Sequence, residues 1–108
     1  MDADITLSDV RIAPMGEITV KVTVTNDRVY DNMHRPIAIR SILPEGFCAE
    51  HPKSLFLPRW DSYHYNGKVS FDAVIRAGET VNAENRVILE ITSPGRPTAL
   101  YASFVLLG

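Results

Sequence analysis

A strict alternation of apolar and polar residues runs through much of this chain. In residues 17–25, EITVKVTVT, every second residue is an isoleucine or a valine, and most of the residues between them are threonines. Successive side chains of a β-strand point to opposite faces, so this pattern places the branched side chains on one face. The segment is therefore predicted to be a strand with one buried face and one solvated face.

The same period of two recurs along the rest of the chain, and no segment keeps a helical period. Turn-forming residues separate the alternating segments at a spacing typical of β-sandwiches. We count about seven strands and predict an all-β fold in which two antiparallel sheets enclose one core. The further predicted strands are PIAIRSIL at 36–43, GFCAE at 46–50, KVSFDAVI at 68–75, TVNAENRVILEIT at 80–92 and TALYASFVLL at 98–107.

The alternation near the start of the chain slips by one residue. Ile5 and Leu7 share one phase, and Val10 and Ile12 share the other, with Ser8-Asp9 between them. A slip of one residue turns the following side chains to the opposite face. It indicates either a bulge or a strand that passes from one sheet to the other.

Size and charge narrow the possible functions. The 108 residues are predicted to form a single domain, residues 1–108, which is long enough to bury a core without disulfides or metals. Eleven Lys and Arg against thirteen Asp and Glu give a net charge of −2, with no basic run. Non-specific nucleic-acid binding needs clustered cations, so nucleic acid is not an expected partner.

Cysteine content and the amino terminus bear on localisation. Cys48 is the one cysteine, so no internal disulfide is possible. The start, Met1-Asp2-Ala3-Asp4, lacks the basic and apolar regions of a signal peptide, and no apolar run is long enough to insert into a membrane. We expect a cytoplasmic protein if the chain is full length, and an extracellular one if it is a domain of a larger secreted protein.

Three segments in order carry a resemblance to a known family. They are VKVTVTND at 20–27, IRSILPEGF at 39–47 and VIRAGETVNAENRVILEI at 74–91. Over residues 17–105 they resemble the immunoglobulin-like β-sandwich domains that occur as repeats in bacterial surface and secreted proteins. Those domains have a V-x-V-x-N strand end, then an L-P-x-G turn, then an A-G-E/Q turn before a long strand. The resemblance implies an immunoglobulin-like sandwich without catalytic activity of its own.

A second immunoglobulin-like family is less similar, namely the sperm-protein-like domains that bind short phenylalanine-containing peptides. Compared with the bacterial repeat domains, the segment from His51 to Gly67 of this chain is longer and more aromatic. The resemblance therefore implies the fold, whereas a role depends on residues placed on that fold.

The most unusual stretch is RWDSYHYNG, residues 59–67. It holds Trp60, Asp61, Tyr63, His64 and Tyr65 within six positions. Tyrosine and tryptophan combine a large contact area with a polar tip, and they recur at binding hot spots. One interpretation is a recognition loop formed by these five residues. The other is a strand with Trp60 in the core, followed by a hairpin turn at Asn66-Gly67.

Candidate chemistry is sparse elsewhere. His34, His51 and His64 fit no common metal-binding spacing, and no glycine-rich phosphate loop is present, so neither metal nor cofactor is expected. Cys48, His64 and Asp61 form the strongest set for nucleophilic catalysis, although no local motif marks them. A small cysteine-dependent enzyme remains an alternative, but we predict that the chain is not an enzyme.

The last predicted strand is apolar on both faces. Leu100, Ala102, Phe104 and Leu106 form one face, and the opposite face is formed by residues that include Tyr101, Ser103, Val105 and Leu107. An antiparallel strand usually keeps one wet face, so the second face needs a cover. The cover is either the segment holding SLFLPRW or another subunit, which makes these four residues a candidate oligomer surface.

Taken together, these features favour a non-catalytic protein–protein interaction or assembly module. The predicted partner is another protein or a second copy of the chain, bound through the aromatic loop or a sheet face. A carbohydrate-binding or accessory module is the alternative, in which the aromatic residues of 59–67 stack on sugar rings.

Overall fold

Eight β-strands make up the regular structure. The computed structural model describes residues 1–26, 35–59, 67–94 and 99–108. The strands are β1 (Asp2–Leu7), β2 (Glu17–Thr25), β3 (Arg35–Ile42), β4 (Cys48–Glu50), β5 (Ser54–Leu57), β6 (Lys68–Arg76), β7 (Glu84–Thr92) and β8 (Leu100–Leu107).

The strands form two antiparallel sheets of four strands each. The first sheet has the order β1-β2-β6-β4 and the second has the order β5-β3-β7-β8. With β5 left out, these orders are those of a constant-type immunoglobulin domain, whose strands run A-B-E-D and C-F-G. The predicted all-β sandwich of two antiparallel sheets is confirmed, with eight strands among the described residues in place of about seven, and its strand order is compatible with an immunoglobulin-like domain.

The additional strand is β5, Ser54–Leu57, which lies in a segment that shows no clear alternation in the sequence. It pairs with the first half of β3, so that Phe56 lies opposite Pro36 and Leu57 opposite Arg35. Only Leu57 of its four residues is fully buried. A four-residue edge strand between two prolines has too short a pattern for periodicity to reveal it.

The core lies between the two sheets and is built from the alternating apolar positions. Val20, Val22 and Val24 of β2 are completely buried, as are Val87, Leu89 and Ile91 of β7. The polar partners of the β2 alternation, such as Lys21, lie on the solvent side. The predicted inward face of β2 is therefore confirmed, and burial of this apolar area is the main contribution to stability.

The slip at Ser8-Asp9 corresponds to a change of sheet. The amide of Ser8 still donates to Thr19 of the first sheet, at 2.9 Å. Residues 10–12, which we call the strap, then pair with the end of β8 in the second sheet. Of the two predicted alternatives, a strand that passes between sheets is the one observed.

Close backbone approach accounts for a glycine at the turn between β6 and β7. A Cβ atom at Gly78 would lie 2.7 Å from the carbonyl oxygen of Gly46, so a side chain there would clash with the β3–β4 turn. Gly46 has a φ of 84°, a left-handed conformation that glycine adopts without strain. The LPEG and AGE motifs of the sequence therefore meet at one end of the sandwich.

The described residues contain no helix able to span a bilayer.

Candidate interaction surfaces

The predicted recognition residues Trp60, Asp61, Tyr63, His64 and Tyr65 lie outside the described residues. Neither interpretation of that stretch, a recognition loop or a core strand with a hairpin, is tested. The structure does define the residues on both sides of the stretch.

Those flanking residues come together. A Cβ atom at Gly67 would lie 2.5 Å from the carbonyl oxygens of both Pro58 and Arg59, so the backbones touch there. Asn26, which is fully buried, donates from its amide N–H to the Gly67 carbonyl at 2.8 Å and from its side-chain amide to the Pro58 carbonyl at 3.1 Å. The asparagine of the V-x-V-x-N motif therefore fixes both ends of the aromatic stretch.

The four predicted oligomer-surface residues share one face of β8. Tyr101 and Ser103 are exposed, and Val105 and Leu107 are half-buried, whereas Ala102, Phe104 and Leu106 are buried in the core. Tyr101 keeps 59% of its surface accessible, a high value for an aromatic residue on a sheet. The residues thus lie together on the outer face of the second sheet, and their covering by another subunit stays a prediction.

β8 stands at the edge of its sheet, so the backbone groups of these residues that point away from β7 have no neighbouring strand within the sheet. Leu107 uses its carbonyl oxygen to accept from the strap residue Ile12 and its amide to donate to Val10, at 2.9 and 2.8 Å. Since backbone groups of alternate residues point to the same side of a strand, those of Tyr101, Ser103 and Val105 also point away from β7. No described residue bonds to them.

This stretch of β8, residues 101–105, we call the free edge. Leu107 does not belong to it because the strap already occupies its backbone groups. All eight side chains of β8 are uncharged, and none is proline. Natural sheets usually protect exposed edges with charges, prolines, bulges or very short strands.

The segment holding SLFLPRW does not cover this face in its described part, residues 54–59. β5 lies at the opposite edge of the second sheet, with β3 and β7 between it and β8. Its own aromatic side chain, Phe56, is 68% exposed. The predicted intramolecular cover is therefore wrong for residues 54–59, because these residues extend the sheet instead of folding over it.

Neighbouring strands continue the partly apolar character of this outer face. Ile42 of β3 lies opposite Ile88 of β7, which lies opposite Ser103 of β8. Ile42 is 41% exposed. In the adjacent row, Arg40 and Glu90 form an ion pair at 3.0 Å. Arg86 of β7 lies on the same face and donates to the Ser103 hydroxyl at 2.8 Å. The outer face of the second sheet thus combines an isoleucine pair with an ion pair and an arginine bonded to β8.

The outer face of the first sheet is different. Arg76 of β6 contacts Glu50 of β4 at 2.8 Å and Glu17 of β2 at 3.0 Å. The hydrogen bonds that Arg76 donates to Glu50 and, to a smaller extent, to Glu17 raise the pKa of Arg76 above its ordinary value. These exposed charges cross-link three strands, but exposed ion pairs contribute little to stability.

The groups proposed for catalysis are only partly described. Cys48 is a free, exposed cysteine at the edge of the first sheet, and His64 and Asp61 lie outside the described residues. His51 contacts the Pro52 carbonyl and the Ser41 hydroxyl through its two ring nitrogens, at 2.8 and 3.2 Å. Among the described residues no three His, Cys, Asp or Glu side chains are grouped closely enough to hold a metal.

A cleft of about 590 Å³ lies at the end of the sandwich where the β3–β4 and β6–β7 turns meet. Met15, Phe47 and the carboxylate residues Glu45 and Glu79 are among the residues that line it. Met15 is exposed and has a φ of 60°, an unusual conformation for a residue other than glycine. Sequence reasoning missed this cleft because its lining residues come from three separate parts of the chain, namely Met15, residues 44–47 and residues 78–85.

Comparisons with known proteins support the fold. No protein-family model and no curated protein matches the sequence. The structure is similar to the crystal structure of a FixG-related protein from Vibrio parahaemolyticus, with a TM-score of 0.69 and 9% sequence identity. The match covers 97% of this chain and 94% of that chain. At this identity the likeness shows a shared β-sandwich and carries no statement about function.

Proposed function

We propose that this protein is a non-catalytic protein–protein interaction or assembly module that binds through the second sheet. The observation that carries the proposal is the free edge of β8. It combines backbone groups to which no described residue bonds, an exposed tyrosine and a lack of charged side chains on one edge strand. Such an edge offers main-chain hydrogen bonds for affinity and alternate side chains for specificity.

The surroundings of the free edge support this function. The buried side chains of Ala102, Phe104 and Leu106 anchor β8 in the core, so its exposed groups are held on a rigid strand. The outer face beside it carries the half-buried Ile88 and the exposed Ile42. Aromatic and aliphatic residues with few charges characterise the centre of protein interfaces.

The resemblance to the repeat domains of bacterial surface proteins supports the same proposal and adds a family to it. Repeat domains of bacterial surface proteins are binding and assembly units of this architecture, and the chain shares their strand-end and turn motifs. Membership of that family is part of the proposal, and it would place the protein outside the cytoplasm. The aromatic residues of 59–67 would then add a second contact at the strand ends.

A carbohydrate-binding function has less support among the described residues. Sugar platforms place two exposed aromatic rings side by side, whereas the two exposed aromatic residues of the second sheet are Phe56 on β5 and Tyr101 on β8. Three strand spacings across the sheet, about 14 Å, and four residues along the strands, about 13 Å, separate them. We therefore favour a protein partner.

The test is a comparison of partner capture by matched variants. Wild type, Tyr101→Lys and Phe56→Lys would each be immobilised and exposed to native extract, after circular dichroism shows that all three are folded. We expect a partner that is retained by wild type and Phe56→Lys and is lost from Tyr101→Lys. Retention of the same proteins by all three would contradict binding at β8, and retention of none would remove the interaction function.

A further inference from the structure

We infer that residues 1–12 exchange between two copies of this chain, so that β1 and the strap of one copy pack on the rest of the other. We call residues 1–12 the N-terminal segment and the turn that follows it, residues 13–16, the hinge. In the exchanged dimer each segment makes with the second copy the contacts that it makes within one chain in the monomer. The inference goes beyond the proposed function, because it does not use the free edge of β8.

The hinge contains the one described residue other than glycine that has a positive φ. Met15 has a φ of 60°, and its side chain is 72% exposed. A left-handed conformation crowds the Cβ atom of an L-residue, and a side chain so exposed gains little packing in return. Gly16 donates its N–H to the Ala13 carbonyl at 2.9 Å, which closes the turn. The hinge is therefore held in a conformation that its sequence does not favour.

An extended hinge removes this strain, because Met15 then adopts the β region that other L-residues prefer. Pro14 is already suited to an extended chain. Its ring fixes its own φ at about −65° and disfavours a helical conformation for Ala13. Opening breaks the hydrogen bond from Gly16 to Ala13 and the one from Met15 to the Gly78 carbonyl. Water replaces both partners, so the net loss is modest.

The N-terminal segment is held less firmly than the other long strands. The inward residues of β1, which are Ala3, Ile5 and Leu7, pack against the core but are only half-buried. By contrast, β2, β6, β7 and β8 each bury three or more inward side chains. β1 pairs within its sheet with β2 alone, so it can leave while the pairing of β2 with β6 stays intact. Local opening begins at segments of this kind.

The buried contacts of the segment favour exchange over a chain that stays open. Ile12 is 4% exposed, and its N–H donates to the Leu107 carbonyl at 2.9 Å. Ser8 donates its N–H to the Thr19 carbonyl and accepts the Thr19 N–H on its hydroxyl, both at 2.9 Å. These contacts are recovered whichever copy supplies the segment. The exchanged dimer thus loses only contacts of the hinge and is relieved of strain in both copies.

The expected strength of the dimer follows from the hinge. Short linkers give a tethered segment an effective concentration on the order of millimolar, so exchange without strain needs protein near that concentration. A left-handed conformation disfavours a residue other than glycine by about five- to thirtyfold, and each copy is relieved of one such residue. We therefore expect a dissociation constant in the micromolar range. Exchange is slow, because the segment must open before it binds a second copy.

Matched hinge variants test the role of strain. Met15→Gly removes the strain from the closed turn, whereas Met15→Ala keeps the strain and removes the same exposed side chain. Each protein is incubated at near-millimolar concentration with mild urea to speed opening, and is then analysed by size exclusion with light scattering. We expect a dimer from wild type and Met15→Ala, and at least about tenfold weaker dimerisation of Met15→Gly. No dimer from wild type, or equal dimer from all three, would overturn the inference.

Paired cysteines show which copy supplies β1. Thr6 of β1 and Lys21 of β2 are exposed and face each other, at a Cα separation of about 5.5 Å that suits a disulfide. In a Cys48→Ser background, Thr6→Cys/Lys21→Cys is oxidised after the dimer has been isolated. Exchange predicts a covalent dimer on a non-reducing gel. Monomers with an internal disulfide would mean that β1 has stayed in its own copy.

A second pair of cysteines is the control. Lys21 of β2 also faces Asp72 of β6, and neither residue belongs to the exchanged segment. Lys21→Cys/Asp72→Cys, in the same background and in the same dimer, should therefore link only within one copy. A covalent dimer from this pair as well would overturn exchange limited to the N-terminal segment.

Failure of the inference differs from failure of the proposed function. A wild type that stays monomeric, yet captures a partner that Tyr101→Lys loses, overturns the exchange and leaves the interaction function standing. A dimer that forms in Tyr101→Lys as it does in wild type supports the exchange, whether or not a partner is captured. A dimer that Tyr101→Lys abolishes would place the contact on β8 and overturn the exchange.

Discussion

β1 and β8 are edge strands on the same side of the sandwich, and they present opposite chemistry to solvent. β1 alternates exposed residues such as Asp2 and Asp4 with inward residues that are only half-buried. β8 exposes Tyr101 and Ser103 and buries three inward side chains. The strap leaves β1 and pairs with the end of β8, so the chain itself covers part of one edge.

The contrast shows that an edge can be protected in two ways or left open. Charge protects β1 because a second strand would have to desolvate its aspartates. The strap protects β8 only beside Leu107. The five residues of the free edge, 101–105, have neither a charge nor the strap to protect them. The more firmly buried strand is thus the one whose outer edge stays open.

The largest expected difference between the two strands is in how much a buried side chain of each contributes to the free energy of unfolding. Leu106→Ala on β8 removes a fully buried side chain and should lower the free energy of unfolding by about 2–5 kcal/mol. Ile5→Ala on β1 removes a half-buried one and should cost less than about 2 kcal/mol. Urea denaturation measures both, and equal losses would mean that β1 is anchored as firmly as β8.

Removal of the strap pairing should have the next largest effect. Ile12→Pro deletes the N–H that donates to Leu107 at 2.9 Å and should destabilise the protein by about 1–3 kcal/mol. It should also strengthen self-association, because the free edge then extends to Leu107. Ile12→Val keeps the N–H and is the control. Unchanged association in sedimentation velocity would show that the strap does not limit pairing.

Removing a negative charge from β1 should make its edge more open to pairing with another strand, as the edge of β8 is. Asp4→Thr removes a charge while keeping a residue that favours strands, and we expect a several-fold increase in self-association with little change in stability. Asp72→Thr makes the same change on β6, inside the first sheet, and should have no such effect. Light scattering at high concentration measures both, and equal behaviour would contradict edge protection by charge.

The smallest expected effect concerns the ion pairs of the sheet that carries β1. Arg76→Gln removes both contacts, to Glu17 and to Glu50. All three side chains are well exposed, so water and salt screen their attraction. We expect a melting temperature close to that of wild type in calorimetry at physiological ionic strength. A large decrease would mean that these charges hold β4 in place.

Much of the fold could be predicted because burial repeats along individual strands. Val20, Val22 and Val24 are read from the sequence as one inward face, and they are fully buried. β5 could not be predicted in this way, since only Leu57 of its four residues is fully buried. The five aromatic-loop residues from Trp60 to Tyr65 remain predictions, because the structure describes only the base of that stretch.

The sequence by itself determined the strands other than β5, the inward face of β2 and the change of phase at Ser8-Asp9, because these depend on neighbours along the chain. The tertiary structure decided which strands stand at the edges and which backbone groups remain unpaired. Nothing local in LYASFVLL distinguishes Leu107, which pairs with the strap, from Tyr101, whose outer edge pairs with no described residue. That difference arises because residues nearly a hundred positions away pass alongside one end of the strand and not the other.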